Sequence, residues 1–166
     1  MSACTTVPTL EPAASDTSIS GRLSLRVDPA ASEPARAFSA VFDLRGGPEA
    51  GVLGLSTPIG SMLAQARWQQ AEVTLTTPRG TRAFASLDGL TRDVLGESVP
   101  IEAWFDWLRG RPWPGAPSMP GTVGAPAGFH QLGWVVDLSR FTEGAVVAVR
   151  EQPAPRVTVR IQLDRG

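Results

Sequence analysis

The chain has 166 residues, 42% hydrophobic and 19% charged, enough for the core of one domain and too few for two. Fifteen basic residues against sixteen acidic ones leave a net charge of −1, which removes the case for nucleic acid as a partner, since that needs a basic face to neutralise phosphates. One Cys and one His exclude an internal disulfide and give no three- or four-ligand zinc or iron site, and no apolar run approaches the ~20 residues of a membrane-spanning helix.

All fifteen basic residues are Arg, read here as compositional bias. Met1-Ser2-Ala3-Cys4 fits the end of a bacterial lipoprotein signal, in which small residues precede a Cys whose thiol takes a lipid. Only three residues precede Cys4, so the expectation is that the true start lies upstream or that the chain was trimmed. Thr5 to Ser18 is mostly Thr, Pro, Ala, Ser and Glu, with almost nothing to bury, and reads as a flexible tether. Ordered structure is expected from Ile19, giving residues 1–18 as anchor and tether and 19–166 as one domain.

Ile19, Gly21, Leu23, Leu25 and Val27 alternate with polar residues, the period of a half-buried strand. Phe38 to Leu44 predicts a second strand, turned by Gly46-Gly47-Pro48. Gly51 to Leu55 predicts a third, stopped by Ser56-Thr57-Pro58, and Leu63 to Trp68 a fourth. Val73–Thr77 and Thr81–Ala85 form a hairpin around Pro78-Arg79-Gly80. The period then becomes helical. Leu87, Leu90, Val94 and Leu95 share a face, with Gly96 suited to the position after a helix end. Pro100 suits the start of a second helix, where Ile101, Trp104, Phe105 and Leu108 recur at i, i+3, i+4 and i+7, with Glu102, Asp106 and Arg109 on the other side. Arg111 to Gly128 reads as a long Pro/Gly-rich loop, and strands resume at Phe129–Leu138, Ala145–Arg150 and Arg156–Leu163. Strands, two short helices, then strands predict a mainly β (α+β) fold: a large antiparallel sheet with helices on one side or in its mouth. A sheet this large curls. Its concave apolar face is either an ordinary core or a cavity for something apolar, and pattern does not separate the two.

Few residues offer chemistry. Gly54-Leu55-Ser56-Thr57-Pro58 begins like a nucleophile elbow but carries Pro where Gly is required, and a strand follows it instead of a helix. A secreted hydrolase would need Ser56 within reach of His130, the sole His and more simply a surface or structural residue. Glu102 and Asp106 stand at i, i+4, a spacing open to acid–base work, but read as a solvated helix side. Gly46-Gly47-Pro48 is a turn and not a phosphate cradle. Trp104, Phe105, Trp107, Trp113 and Trp134 read first as core. Ile59 stands alone at the tip of Thr57-Pro58-Ile59-Gly60, harmless or a contact point for a membrane or apolar partner.

Taken in order, several segments resemble the LolB family of outer-membrane lipoprotein receptors over most of the chain. They are Gly21-Arg22-Leu23, Phe38 to Asp43, Thr57-Pro58-Ile59-Gly60, Val99-Pro100-Ile101, Trp107-Leu108-Arg109-Gly110-Arg111-Pro112 and Phe129-His130-Gln131-Leu132-Gly133-Trp134. The resemblance implies an unclosed, curved antiparallel β-barrel whose short helices cover the concave apolar face. It implies a non-enzymatic, monomeric protein without metal or cofactor. Such a protein is anchored in the outer membrane through lipid on Cys4 and faces the periplasm. It takes lipoproteins from the periplasmic carrier LolA, holds their acyl chains in an apolar cavity and passes them to outer-membrane lipid. Pro58, Ile59 and Gly60 correspond to the family's protruding loop, with Ile59 where the family carries an exposed Leu implicated in membrane insertion. The cavity is expected to be lined in part by Phe42, Leu53, Trp104, Phe105 and Trp134. The sequence departs from the family in the short polar segment after Cys4, in Asp43-Leu44 where a Trp is common, and in Leu138 and Phe141 where Tyr is usual. Alternatives are a soluble LolA-like periplasmic carrier without an N-terminal lipid, another lipid-binding envelope lipoprotein, and a purely structural lipoprotein with a filled core.

Overall fold

Alternation of apolar and polar residues lays down eleven strands in the computed structural model, which describes residues 17–165. The first six are β1 (Thr17–Val27), β2 (Arg36–Gly46), β3 (Ala50–Ser56), β4 (Met62–Gln69), β5 (Glu72–Thr77) and β6 (Gly80–Phe84). Two helices follow, α1 (Leu87–Leu95) and α2 (Ile101–Trp107). Then come β7 (Ser118–Pro120), β8 (Gly128–Gln131), β9 (Trp134–Asp137), β10 (Ala145–Arg150) and β11 (Val157–Leu163). Cys4 lies outside the described residues.

All strands join one antiparallel sheet in the order β6-β5-β4-β3-β2-β1-β11-β10-β9-β8-β7. It is two meanders, each made of neighbours in sequence, joined where β1 pairs with β11 from Gly21↔Leu163 to Val27↔Val157. The edges β6 and β7 do not pair, so the barrel is open. At the junction Gly21 has a steric role: a Cβ there would lie 2.2 Å from the Gln162 carbonyl oxygen. The inward residues of the strands and both helices share one core, from Leu23, Leu25 and Val27 through Phe42 and Leu44 to Val157, Val159 and Ile161.

Local chemistry explains α1. The Ser86 hydroxyl accepts from the Gly89 amide at 3.0 Å as an N-cap, and Gly96 takes the left-handed conformation after the last turn. α2 is buried on nearly every side, from Ile101 through Trp107, and so behaves as a core helix. This corrects the reading of Asp106 as part of a solvated side, while Glu102 stays half-exposed. Asp106 is buried and accepts from Arg111 Nε at 2.7 Å, so the five-residue spacing folds a cation back onto it. Phe105 meets Trp68 of β4 edge to face at 6.1 Å between centroids. Trp107, two residues on, meets Phe129 of β8 at 6.2 Å and Trp134 of β9 at 6.3 Å. One helix thus spans the concavity from the first meander to the second.

Two expectations fail in the second half of the chain. Phe129–Leu138 is not one strand but the hairpin β8–β9, turned at Leu132 (φ 54) and Gly133 (φ 79). Both turn residues have positive φ, as a type I′ turn requires, and Leu is a poor advertisement for it. The segment 111–128 holds the short edge strand β7, paired with β8 from Ser118↔Gln131.

What fixes that segment is Gln131, whose side chain is buried with all its hydrogen-bonding capacity engaged. Its Oε1 accepts from Trp107 Nε1 at 2.7 Å and from the Trp113 amide at 2.8 Å. Its Nε2 donates to the carbonyls of Trp113 at 2.7 Å and Ala116 at 2.8 Å. One amide ties α2, β8 and the Pro/Gly segment together. Gln131→Leu strands those partners in a dry site, and at ~1–3 kcal/mol per unsatisfied group, partly recovered by water, a loss of about 3–5 kcal/mol is expected. The measurement is the urea unfolding midpoint. A change under 1 kcal/mol would show that the amide is not what holds the segment.

Candidate functional site

Where α1 and α2 lie over β1–β5, packing leaves a cavity of about 70 Å³. The sheet contributes Leu23, Leu25, Leu53, Ala66 and Leu75, and the helical side contributes Leu90, Val99, Ile101 and Trp104. Phe38, Leu55, Ala64 and Leu95, all partly buried, also line it, and Val94, which is 48% exposed, marks where it reaches the surface. Thr91 supplies the only hydroxyl of the lining, and the Trp104 indole N–H is its only other side-chain polar group. The Thr91 hydroxyl is already used: it donates to the Asp88 carbonyl at 3.1 Å and accepts from the Val99 amide at 3.2 Å. The walls are therefore almost wholly hydrocarbon. They select for saturated hydrocarbon and offer nothing for acid–base or nucleophilic chemistry.

The rim of this cavity is also the stem of the Ile59 loop. Leu55 and Ala64 are register partners in β3 and β4, and the chain between those strands is the loop from Thr57 to Ser61. The loop is braced from within. The Thr57 amide donates to the Ser61 carbonyl at 2.9 Å, the Gly60 amide to the Thr57 carbonyl at 2.9 Å, and the Ser61 amide to the Thr57 hydroxyl at 3.1 Å. Gly60 adopts φ +90, and Ile59 stands 91% exposed at the tip.

The helical cover is tied to the sheet by charge. Glu97, between α1 and α2, forms an ion pair with buried Arg150 of β10 and lies 3.9 Å from Arg36 of β2. Arg150 also donates to the Ser98 carbonyl at 3.2 Å and lies over the Trp134 ring at 5.8 Å. Arg36 donates to the Leu95 carbonyl at 2.9 Å, at the end of α1.

Of the residues expected to line a cavity, Leu53 and Trp104 do so. Phe42, Phe105 and Trp134 do not. They are buried in the surrounding core, Phe105 against Trp68 and Trp134 between Trp107 and Arg150. Sequence reasoning missed Leu90, Thr91, Leu75 and Val99. Their apolar period was visible, but which of several inward residues faces a gap depends on how α1 sits on β5. It also missed the Arg36–Glu97–Arg150 tie, which joins residues far apart in sequence with no local signature. Ser56 and His130 are not brought together. They sit in β3 and β8 with five strands between them in the sheet order. Among the described residues no group of His, Cys, Asp or Glu could hold a metal, and no helix is long and apolar enough to cross a membrane.

Removing Glu97 leaves the Arg150 charge buried without a counter-charge, a change that costs about 3–5 kcal/mol in comparable sites. Glu97→Ala is expected to lower stability by about 3 kcal/mol, and Glu97→Gln by clearly less because the amide oxygen still accepts from Arg150. Equilibrium unfolding of the two variants side by side is the check, and equal effects would remove the charge from the explanation.

A family model described as outer membrane lipoprotein LolB matches residues 15–165. Among curated relatives, each named outer-membrane lipoprotein LolB, the protein of Bordetella petrii is 35% identical over 120 residues, covering 68% of this chain and 60% of that one. The protein of Bordetella pertussis is 36% identical over 117 residues, covering 66% and 59%. That of Chromobacterium violaceum is 31% identical over 134 residues, covering 80% and 69%. The chain thus spans about three fifths of the length of the Bordetella relatives it matches. A match that runs through both meanders, the helical cover and the Ile59 loop places the chain in the outer membrane lipoprotein LolB family.

Proposed function

We propose that this protein is an outer-membrane lipoprotein receptor: it accepts lipoproteins from the periplasmic carrier LolA, shelters their acyl chains under α1 and α2, and passes them to outer-membrane lipid. The observation that carries the reading is the cavity, with its almost wholly apolar lining, its one hydroxyl hydrogen-bonded internally and its rim continuous with the Ile59 hairpin. No catalytic step is part of the proposal.

Magnitudes define the work. A dozen acyl methylenes kept from water contribute roughly 10 kcal/mol at ~0.8 kcal/mol each, so crossing the periplasm unsheathed is prohibitive. A cavity of about 70 Å³ is half the ~150 Å³ that accommodates a benzene ring. Loading therefore requires α1, α2 or both to move off β1–β5 and widen the space, at a cost repaid by acyl burial. Since only differential affinity shifts an equilibrium, delivery must run from weaker to stronger hosts: carrier, receptor, membrane.

Ile59 belongs to the last step. Burying one Ile side chain contributes ~1.5–3 kcal/mol, too little to anchor the protein but enough to bias where the cavity rim meets lipid. A soluble carrier on the same sheet is the second reading. The exposed apolar tip favours a protein that meets a membrane. Ile59→Glu is expected to leave folding and uptake from loaded LolA nearly intact and to abolish incorporation of the cargo into liposomes. The two-step transfer assay separates the steps. Equal loss of uptake and delivery would make Ile59 part of the docking surface or the cavity, and loss of neither would remove the loop from the mechanism.

Localisation rests on Cys4, which we propose as the lipid-attachment residue holding the protein on the periplasmic side of the outer membrane. Mass spectrometry of the protein extracted from native membranes should find a lipid-modified cysteine as the first residue. A free thiol, or residues retained before Cys4, would contradict it.

A further inference from the structure

On the outer face of the sheet, opposite the cavity, a groove of about 540 Å³ runs over β2, β1, β11 and β10. Three arginines line it, Arg22, Arg140 and Arg160, with the hydroxyls of Ser24 and Ser39 and no carboxylate. The lining thus carries three cationic side chains and no anionic one, in a chain whose net charge is −1. Arg22 and Arg160 come from the two strands of the β1–β11 junction. Arg22 stands opposite Gln162 and Ser24 opposite Arg160, so the two arginines are diagonal neighbours. Diagonal pairs have Cα atoms roughly 7–8 Å apart, close enough for two guanidinium groups to converge on one anion.

Both guanidinium groups are available. Neither Arg22 nor Arg160 has an ion pair or side-chain hydrogen bond among the described residues. Of the nearby carboxylates outside the lining, Asp43 pairs with Arg45, whereas Asp164 and Asp137 keep their charge and accept from the Ser20 hydroxyl at 3.0 Å and the Ser139 amide at 2.8 Å. Arg140 differs, being bonded to Glu143, whose carboxyl its guanidinium holds below the usual range. The arginines of the lining without an ion pair among the described residues are therefore Arg22 and Arg160.

Position identifies the occupant. Pro58 forms part of the groove wall, and the next residue is the exposed Ile59. If Ile59 enters the apolar layer of a membrane, the groove at its base stands at headgroup depth. We propose that this groove binds the phosphate of an anionic phospholipid between Arg22 and Arg160, orienting the loop at the membrane surface. The inference rests on the receptor reading of Ile59 and adds to it a polar site that fixes depth and tilt where one apolar residue does not. Free phosphate offers the same oxygens, but it does not explain why the site adjoins an apolar tip.

Flotation of the full 166-residue chain, unacylated, with phosphatidylcholine vesicles containing or lacking phosphatidylglycerol tests the site. At roughly fivefold per arginine near an anionic surface, the Arg22→Gln/Arg160→Gln pair should weaken binding to phosphatidylglycerol vesicles about 25-fold, to the level the unchanged protein shows on phosphatidylcholine alone. Arg160→Gln by itself should show about a fivefold loss, which keeps the test valid if the double variant folds poorly. Equal binding of variant and unchanged protein overturns the proposal. So does competition by inorganic phosphate at constant ionic strength, which would assign the groove to a soluble anion. Uptake of a fluorescent fatty acid is measured alongside. If the variants take it up normally but keep their vesicle binding, the groove proposal fails and the receptor reading stands. If the unchanged protein takes up none, the receptor reading fails on its own.

Discussion

The structure depends on one seam. Two meanders, β6 to β1 and β11 to β7, are each built from strands that follow one another in sequence, and only the β1–β11 ladder makes them a single sheet. Short-range hairpins form readily, whereas pairing the two ends of the chain carries the largest closure entropy. The seam has to be tight to repay it. Gly21 supplies that tightness, because any side chain there would collide with the Gln162 carbonyl. The inward residues along the ladder, Leu23, Leu25 and Val27 facing Ile161, Val159 and Val157, are all buried. At ~25 cal/mol per Å² of apolar surface, such a row is what makes long-range pairing worth its entropy.

Once the seam exists, the free edges and the helices have one arrangement open to them. α1 and α2 lie in sequence between β6 and β7, the strands at the two edges. The helical segment therefore leaves one edge and returns at the other, and is carried across the concavity. Its aromatic residues meet this requirement. Phe105 rests on the first meander and Trp107 on the second, while Gln131 receives Trp107 and fastens the return segment. Burial is uneven along this cover. α2 is held by aromatic packing on almost every side, whereas α1 keeps Val94 exposed beside the cavity and is tied at its end by Arg36. Movement that widens the cavity is easier at α1 than at α2, since less apolar area leaves its partners.

Much of this was legible in the sequence, where local periodicity decides. Both helices were found with the right boundaries to within a residue, because the change from period two to period 3.6 is sharp at Leu87 and Gly96 ends α1. The strands up to β6 followed their alternation for the same reason. What escaped depended on tertiary context. The β8–β9 turn uses Leu132 at a positive φ, a conformation imposed by the ladder on either side and not preferred by the residue. Asp106 looked like a surface carboxylate because its counter-ion, Arg111, comes from the chain beyond the helix. At the cavity, alternation named Leu53 among inward residues and helical spacing named Trp104. It could not say that Phe42 fills core while Leu90 and Leu75 border a gap.

The division of labour between the faces of the sheet follows from the same pleat. Each strand sends alternate residues to opposite sides, so the strand that offers Leu23 and Leu25 to the cavity must offer Arg22 and Ser24 to the outer groove. The hairpin of β3 and β4 projects from the cavity rim, and its Pro58 closes one wall of the groove. An apolar store, an apolar tip and a cationic groove are thereby fixed in one rigid relation by backbone pairing alone. A lipid bilayer presents the same sequence of environments along its normal, hydrocarbon beneath charged headgroups. On the proposed reading, a protein that hands acyl chains to a bilayer needs no large conformational signal to find its orientation. One hairpin then carries the cavity rim, the loop tip and a wall of the groove, so on that reading all three meet the membrane together.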